Sequence, residues 1–113
     1  MRGCGGRVVL HRLTEEVPGF ISVVAMSETV WVLQRAYGLA DMDIAAAVER
    51  ALQADVFVVE NEQEVFAAMI ALKEGRGTFA DALIAALGAR AGCSYTLTFD
   101  KNASRLSNFK LAL

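Results

Sequence analysis

Three acids of this chain have the residue type and position to do chemistry. Glu28 lies two residues past the apolar run "FISVVAM", Asp81 heads the apolar stretch "FADALIAALGARAG", and Asp100 directly follows "SYTLTF". Carboxylate oxygens suit hard divalent ions such as Mg²⁺ or Mn²⁺. Three carboxylates at one place repel one another unless a cation neutralises them. An ion held in that way can activate water and stabilise an in-line attack on a phosphodiester. Thr98 is two residues before Asp100 on the same extended segment, hence on the same face, where it could orient an acid or a metal-bound water. Lys101 and Arg105, beside Asp100, read equally as contacts to a substrate phosphate or as solvated charges.

Each acid also has a local reason to be where it is. Glu28 in the first turn of a helix complements the helix dipole. Asp81, three residues after Thr78, fits an acidic variant of the capping box. Asp100 can cap "KNASRL". What separates chemistry from capping is whether the fold brings the three together.

The elements that would do so read as follows. "GRVVLHRLTEE" (Gly6–Glu16) has short amphipathic helix spacing and ends before Pro18. "FISVVAM" (Phe20–Met26), β-branched and uncharged, predicts a strand buried on both faces. Ser27 would cap the next helix, with Val30, Leu33 and Tyr37 on one face and Gly38 closing it. In "ADMDIAAAVERALQA", Ile44, Val48 and Leu52 recur at helical spacing, with Asp41 or Asp43 as cap. "DVFVVE" (Asp55–Glu60) predicts a strand. "NEQEVFAAMIALKEG" predicts a helix opened by Asn61, and "TFADALIAALGARAG" a second helix. "SYTLTF" (Ser94–Phe99) predicts a strand, "DKNASRL" one helical turn, and "FKLAL" (Phe109–Leu113) a last strand. Strands alternating with helices over short connections predict an α/β fold with a mostly parallel sheet and helices on both faces. In such sheets function gathers beyond the carboxyl ends of the strands. Glu28 and Asp100 would both sit at that edge, and a helix returning antiparallel to its strand would bring Asp81 there too.

The totals bound these readings. With 113 residues and 55% hydrophobic content, the chain can build one domain, residues 1–113, and disorder is not expected. A net charge of −2 provides no global basic field, so nucleic-acid binding would need a local patch. Cys4, Cys93 and His11 fall short of a zinc site, and the thiols are expected reduced in a cytoplasmic protein. His11, far from the acids in sequence, is given no catalytic role. Charges interrupt every apolar run before membrane-spanning length, and no signal peptide is expected. "GCGG" lacks the strand and the GK[ST] of a phosphate-binding loop. Trp31, Val32 and Arg35 read either as core or as dimer contacts.

"FISVVAMSETVWVLQRAYGL", "FADALIAALGARAGC" and "TLTFDKNASRL", in this order, resemble the three downstream motifs of PIN-domain nucleases, and most of all the VapC-type toxins of toxin–antitoxin pairs. The resemblance covers roughly Leu13 to Leu113. It implies a three-layer α/β/α fold and a metal-dependent endoribonuclease acting on single-stranded RNA. It further implies Mg²⁺ or Mn²⁺ bound by an acid cluster, a homodimer, and a cognate antitoxin that blocks the active site. By motif match Glu28, Asp81 and Asp100 are the second, third and fourth acids of the family. The family begins with a central strand ending in aspartate, and this chain has no such segment. The chain is then a truncated gene, a wrongly chosen start, or a variant that closes the seam differently. The competing classes are a catalytically inactive PIN-like module that binds an antitoxin or dimerises, and a receiver-like phosphotransfer domain. The latter would need its acceptor aspartate at the end of a central strand in the first half of the chain.

Overall fold

The computed structural model describes residues 13–101, 103–105 and 109–112, except the side chain of Arg105. Most of the helix expected over Gly6–Glu16, with Cys4 and His11, lies outside the described residues. Its end is not helical: residues 14–17 close a turn in which Val17 N–H donates to the carbonyl (3.1 Å) and the hydroxyl (3.1 Å) of Thr14.

The elements run β1 (Gly19–Ile21), α1 (Val23–Arg35), α2 (Asp41–Gln53), β2 (Phe57–Val59), α3 (Glu62–Lys73), α4 (Phe79–Arg90), β3 (Thr96–Thr98), a 3₁₀ turn (Ala103–Arg105) and β4 (Phe109–Leu111). This is the alternating α/β order the sequence predicted. β1 pairs with β2 in parallel, Phe20 opposite Val58, and β3 pairs with β4 in parallel, Leu97 opposite Lys110. Among the described residues these are two separate two-stranded sheets, and β1 and β3 do not pair with each other.

The largest correction is at α1. The run Phe20–Met26 is not one strand. It stays extended only through β1 and turns helical at Val23. The N-cap is Ser22, not Ser27: its backbone is extended (φ −74°, ψ 161°) and its hydroxyl accepts from Ala25 N–H at 3.0 Å. Val23, Met26, Val30 and Leu33 then recur at helical spacing and turn one face to the core, with Met26 and Val30 buried. α1 ends as expected on Gly38, whose φ of +59° lets Leu39 N–H reach the Leu33 carbonyl at 3.1 Å.

The core is helical. Ile44 and Val48 of α2, Val65, Met69 and Leu72 of α3, and Phe79 and Leu83 of α4 are buried in one cluster with Met26 and Val30. Ile21 and Val59 pack against it from the strands, while Phe20 (65% exposed) and Val58 (51%) point away, so β1 is not buried on both faces. β3 and β4 add no residue to this cluster. They join the helices through α4, where Gly88 lies so close to β3 that a Cβ there would stand 2.6 Å from Thr96 Oγ1. No described helix is long and apolar enough to cross a membrane.

Candidate functional site

Starting α1 one turn earlier than expected moves Glu28. It is no longer in the first turn, which holds no acid, but one turn further on, on the exposed side of the helix. The dipole argument for Glu28 fails with it.

Asp81 lies in the first turn of α4, as expected. Its backbone N–H donates to Thr78 Oγ1 at 3.1 Å, and Thr78 is the N-cap. Its position relative to the strands is set by the helical hairpin α3–α4. Arg90, ending α4, reaches Glu64 in the first turn of α3 at 3.4 Å, so the two helices run antiparallel. Asp81 is therefore about 13 Å of helix away from the end of α4 that meets β2 and α3. As the sequence predicted, two helices connect β2 to β3, and the first carries the chain away from the carboxyl end of β2.

Asp100 follows β3 and is exposed. Thr98 Oγ1 accepts from the Asp100 backbone N–H at 3.0 Å, and the Asp100 carbonyl accepts from Ser104 N–H at 3.0 Å. These bonds fix the backbone on both sides of the acid, so Thr98 steadies the segment that carries Asp100. Lys101 is exposed, and the Arg105 side chain lies outside the described residues.

All three acids are among the described residues, and there no group of three or more His, Cys, Asp or Glu side chains is placed to hold a metal ion. Glu28, Asp81 and Asp100 thus do not form, among the described residues, a group of three that could hold Mg²⁺ or Mn²⁺.

Another acid stands at a strand end. Glu60 directly follows β2, as Asp100 follows β3, and that position in "DVFVVE" was the signal for it. Its Oε1 accepts from Val23 N–H at 2.9 Å, so it caps α1 from 37 residues away in sequence. Its own N–H donates to the Ile21 carbonyl at 2.9 Å and continues the β1–β2 ladder. Next to it, Asn61 is left-handed (φ 52°) and its amide donates to Glu64 Oε1 at 3.4 Å. Asn61, Glu64 and Arg90 border a surface cavity of about 560 Å³. Glu28, Asp81 and Asp100 are not in its wall.

α1 turns a second set of side chains to solvent. Val24 is 70% exposed, Trp31 54% and Val32 38%, with the Arg35 guanidinium 5.6 Å from the Trp31 ring centre. Of the two sequence readings for Trp31 and Val32, core is excluded.

Parallel strand pairs, helices between them, and acids at the head of α4 and beyond β3 define an α/β protein with the motif order of a nuclease. The PIN domain family model matches residues 6–108, and the chain belongs to that family. No curated protein and no solved structure matches it.

Proposed function

We propose that this chain is a PIN-like module that acts by binding protein, an antitoxin-type partner or a second copy of itself, and that its nuclease chemistry is silent. The observation that carries the reading is that, among the described residues, no group of three or more His, Cys, Asp or Glu side chains is placed to hold a metal ion. The exposed apolar side chains Val24, Trp31 and Val32 of α1 agree with it. The test is a labelled single-stranded RNA incubated with the purified chain and Mg²⁺ or Mn²⁺, with and without EDTA. The expected result is no EDTA-sensitive cleavage above that of an Asp100→Asn variant. Cleavage that EDTA and Asp100→Asn both remove would contradict it.

Membership of the PIN family favours a second reading, a VapC-type endoribonuclease in the cytoplasm. Glu28, Asp81 and Asp100 would then bind Mg²⁺ or Mn²⁺, Thr98 would steady Asp100, and Lys101 and Arg105 would hold an RNA phosphate. That reading needs a further segment or a partner to draw the three acids together.

A further inference from the structure

The outer edge of β2 is open. Gly19 N–H donates to the Val56 carbonyl at 2.8 Å and Glu60 N–H to the Ile21 carbonyl at 2.9 Å, so the ladder to β1 runs through Val56, Val58 and Glu60. In a parallel ladder the residues between these turn their backbone groups the other way. The N–H and carbonyl of Val59 and the carbonyl of Phe57 therefore point to the outer edge, where β2 has no neighbouring strand among the described residues. An edge of this kind is a template for a further strand. There is room for one. Phe57, Val58 and Val59 all line the cavity of about 560 Å³, together with the head of α3 and Arg90. Consecutive side chains of a strand point to opposite faces, so a cavity that touches all three runs along an edge, and β1 occupies the other edge.

The two faces beside this edge differ in chemistry. Val59 packs against the cluster that holds Val65 and Met69, so α3 lies on the Val59 side of the strand. Glu62 and Glu64, in the first turn of α3, line the cavity there. Val58 points the other way and is exposed, opposite Phe20 of β1, which is exposed too. Side chains of an added strand alternate between these faces, so every second one meets the carboxylates and those between meet Val58. Two carboxylates stand against one guanidinium in the wall: Arg90 is engaged with Glu64 at 3.4 Å, and Glu62 has no ion pair among the described residues. Charge complementarity therefore selects a basic occupant. We infer that the outer edge of β2 is a docking site for an extended segment of a partner protein, with basic residues alternating with apolar ones, taken up by strand addition. The inference goes beyond the module reading, because the groove contains none of Glu28, Asp81 and Asp100 and takes the segment whether or not the chain cleaves RNA. β2 is three residues long, so the contact is short and the binding weak, as in transient encounters.

The test is amide hydrogen exchange of the full chain, followed by NMR, with a short synthetic peptide alternating lysine and valine added up to about 1 mM. In the free chain the Val59 amide is expected to exchange faster than that of Val58, which is in the ladder, and the peptide should slow it. Glu62→Gln should weaken binding by about threefold or more. The same peptide with glutamate for lysine should not bind. Of two peptides methylated on all lysine or on all valine backbone nitrogens, the one whose methyl groups face β2 should lose about tenfold or more in affinity, and the other should keep it. A Val59 amide that the lysine peptide leaves unprotected overturns the inference. So does equal binding of the glutamate peptide, or of both methylated peptides, or of the peptide to wild type and Glu62→Gln. Protection of Val59 that grows with chain concentration in the absence of peptide gives the edge to a second copy and overturns it as well. None of these outcomes touches the module reading, which fails only on EDTA-sensitive cleavage of RNA.

Discussion

Glu60 and Glu28 are both acids near a strand end, and only their surroundings tell them apart. Glu60 is half-buried and holds the first N–H of α1, a group with no partner inside the helix. Its charge also lies at the positive end of the helix dipole. Glu28 is exposed and holds no backbone group in the bonds that define α1. Glu60→Ala is expected to destabilise the chain by about 1–2 kcal/mol, and Glu60→Gln, which keeps an acceptor oxygen, by less. Glu28→Ala, at concentrations where the chain is monomeric, should fall within about 0.5 kcal/mol of wild type. Urea midpoints at unchanged m-value measure all three. Equal losses at Glu60 and Glu28 would show that the Glu60 bond does not hold α1.

At the scale of elements, the tightest junction is between α4 and β3. Alanine in place of glycine inside a helix ordinarily stabilises by about 0.5–1 kcal/mol. At Gly88 the added methyl would stand 2.6 Å from Thr96 Oγ1, so Thr96 must rotate or β3 must shift. Gly88→Ala is expected to destabilise the wild-type chain, yet to stabilise a Thr96→Ala background by the ordinary amount. The reversal of sign, read from urea midpoints, is the signature of the contact; stabilisation in both backgrounds would deny it. This junction was not readable in the sequence, where Gly88 is one small residue among several in "ALIAALGAR". The helices α2, α3 and α4 were readable because their apolar spacing and their flanking glycines and acids agree. α1 was misread because a short β-branched run serves a strand and a helix equally. The cap is Ser22, inside the run read as strand, in place of Ser27, and Glu60 supplies a second capping group. That bond spans 37 residues, and no local pattern announces it. The same limit applies to the candidate site: the sequence named the acids and the strand ends, but their convergence depends on how the helical hairpin lies against two separate sheets.

For the whole molecule, the core and the acids belong to different parts. The buried cluster joins α1 to α4 with one side of the β1–β2 pair, and β3 and β4 hang from α4 outside it. Asp100 rides on that outer pair, Asp81 heads α4, and Glu28 is on the solvent side of α1. A metal centre requires donors held rigidly at a common point, and a small looseness there lowers rates by orders of magnitude. The central claim is that these three carboxylates share no such point. The direct measurement is thermal unfolding of the monomeric chain against increasing Mn²⁺. An ion bound only by the folded state adds about 1.4 kcal/mol of stability for each tenfold rise in concentration above its dissociation constant. In a chain of this size that is a shift of several degrees per decade. The account predicts a Tm that does not rise in this logarithmic way through the millimolar range, with wild type and Asp100→Asn responding alike. A steady rise per decade in the wild-type chain, abolished by Asp100→Asn and by Asp81→Asn, would contradict it and restore the carboxylate centre.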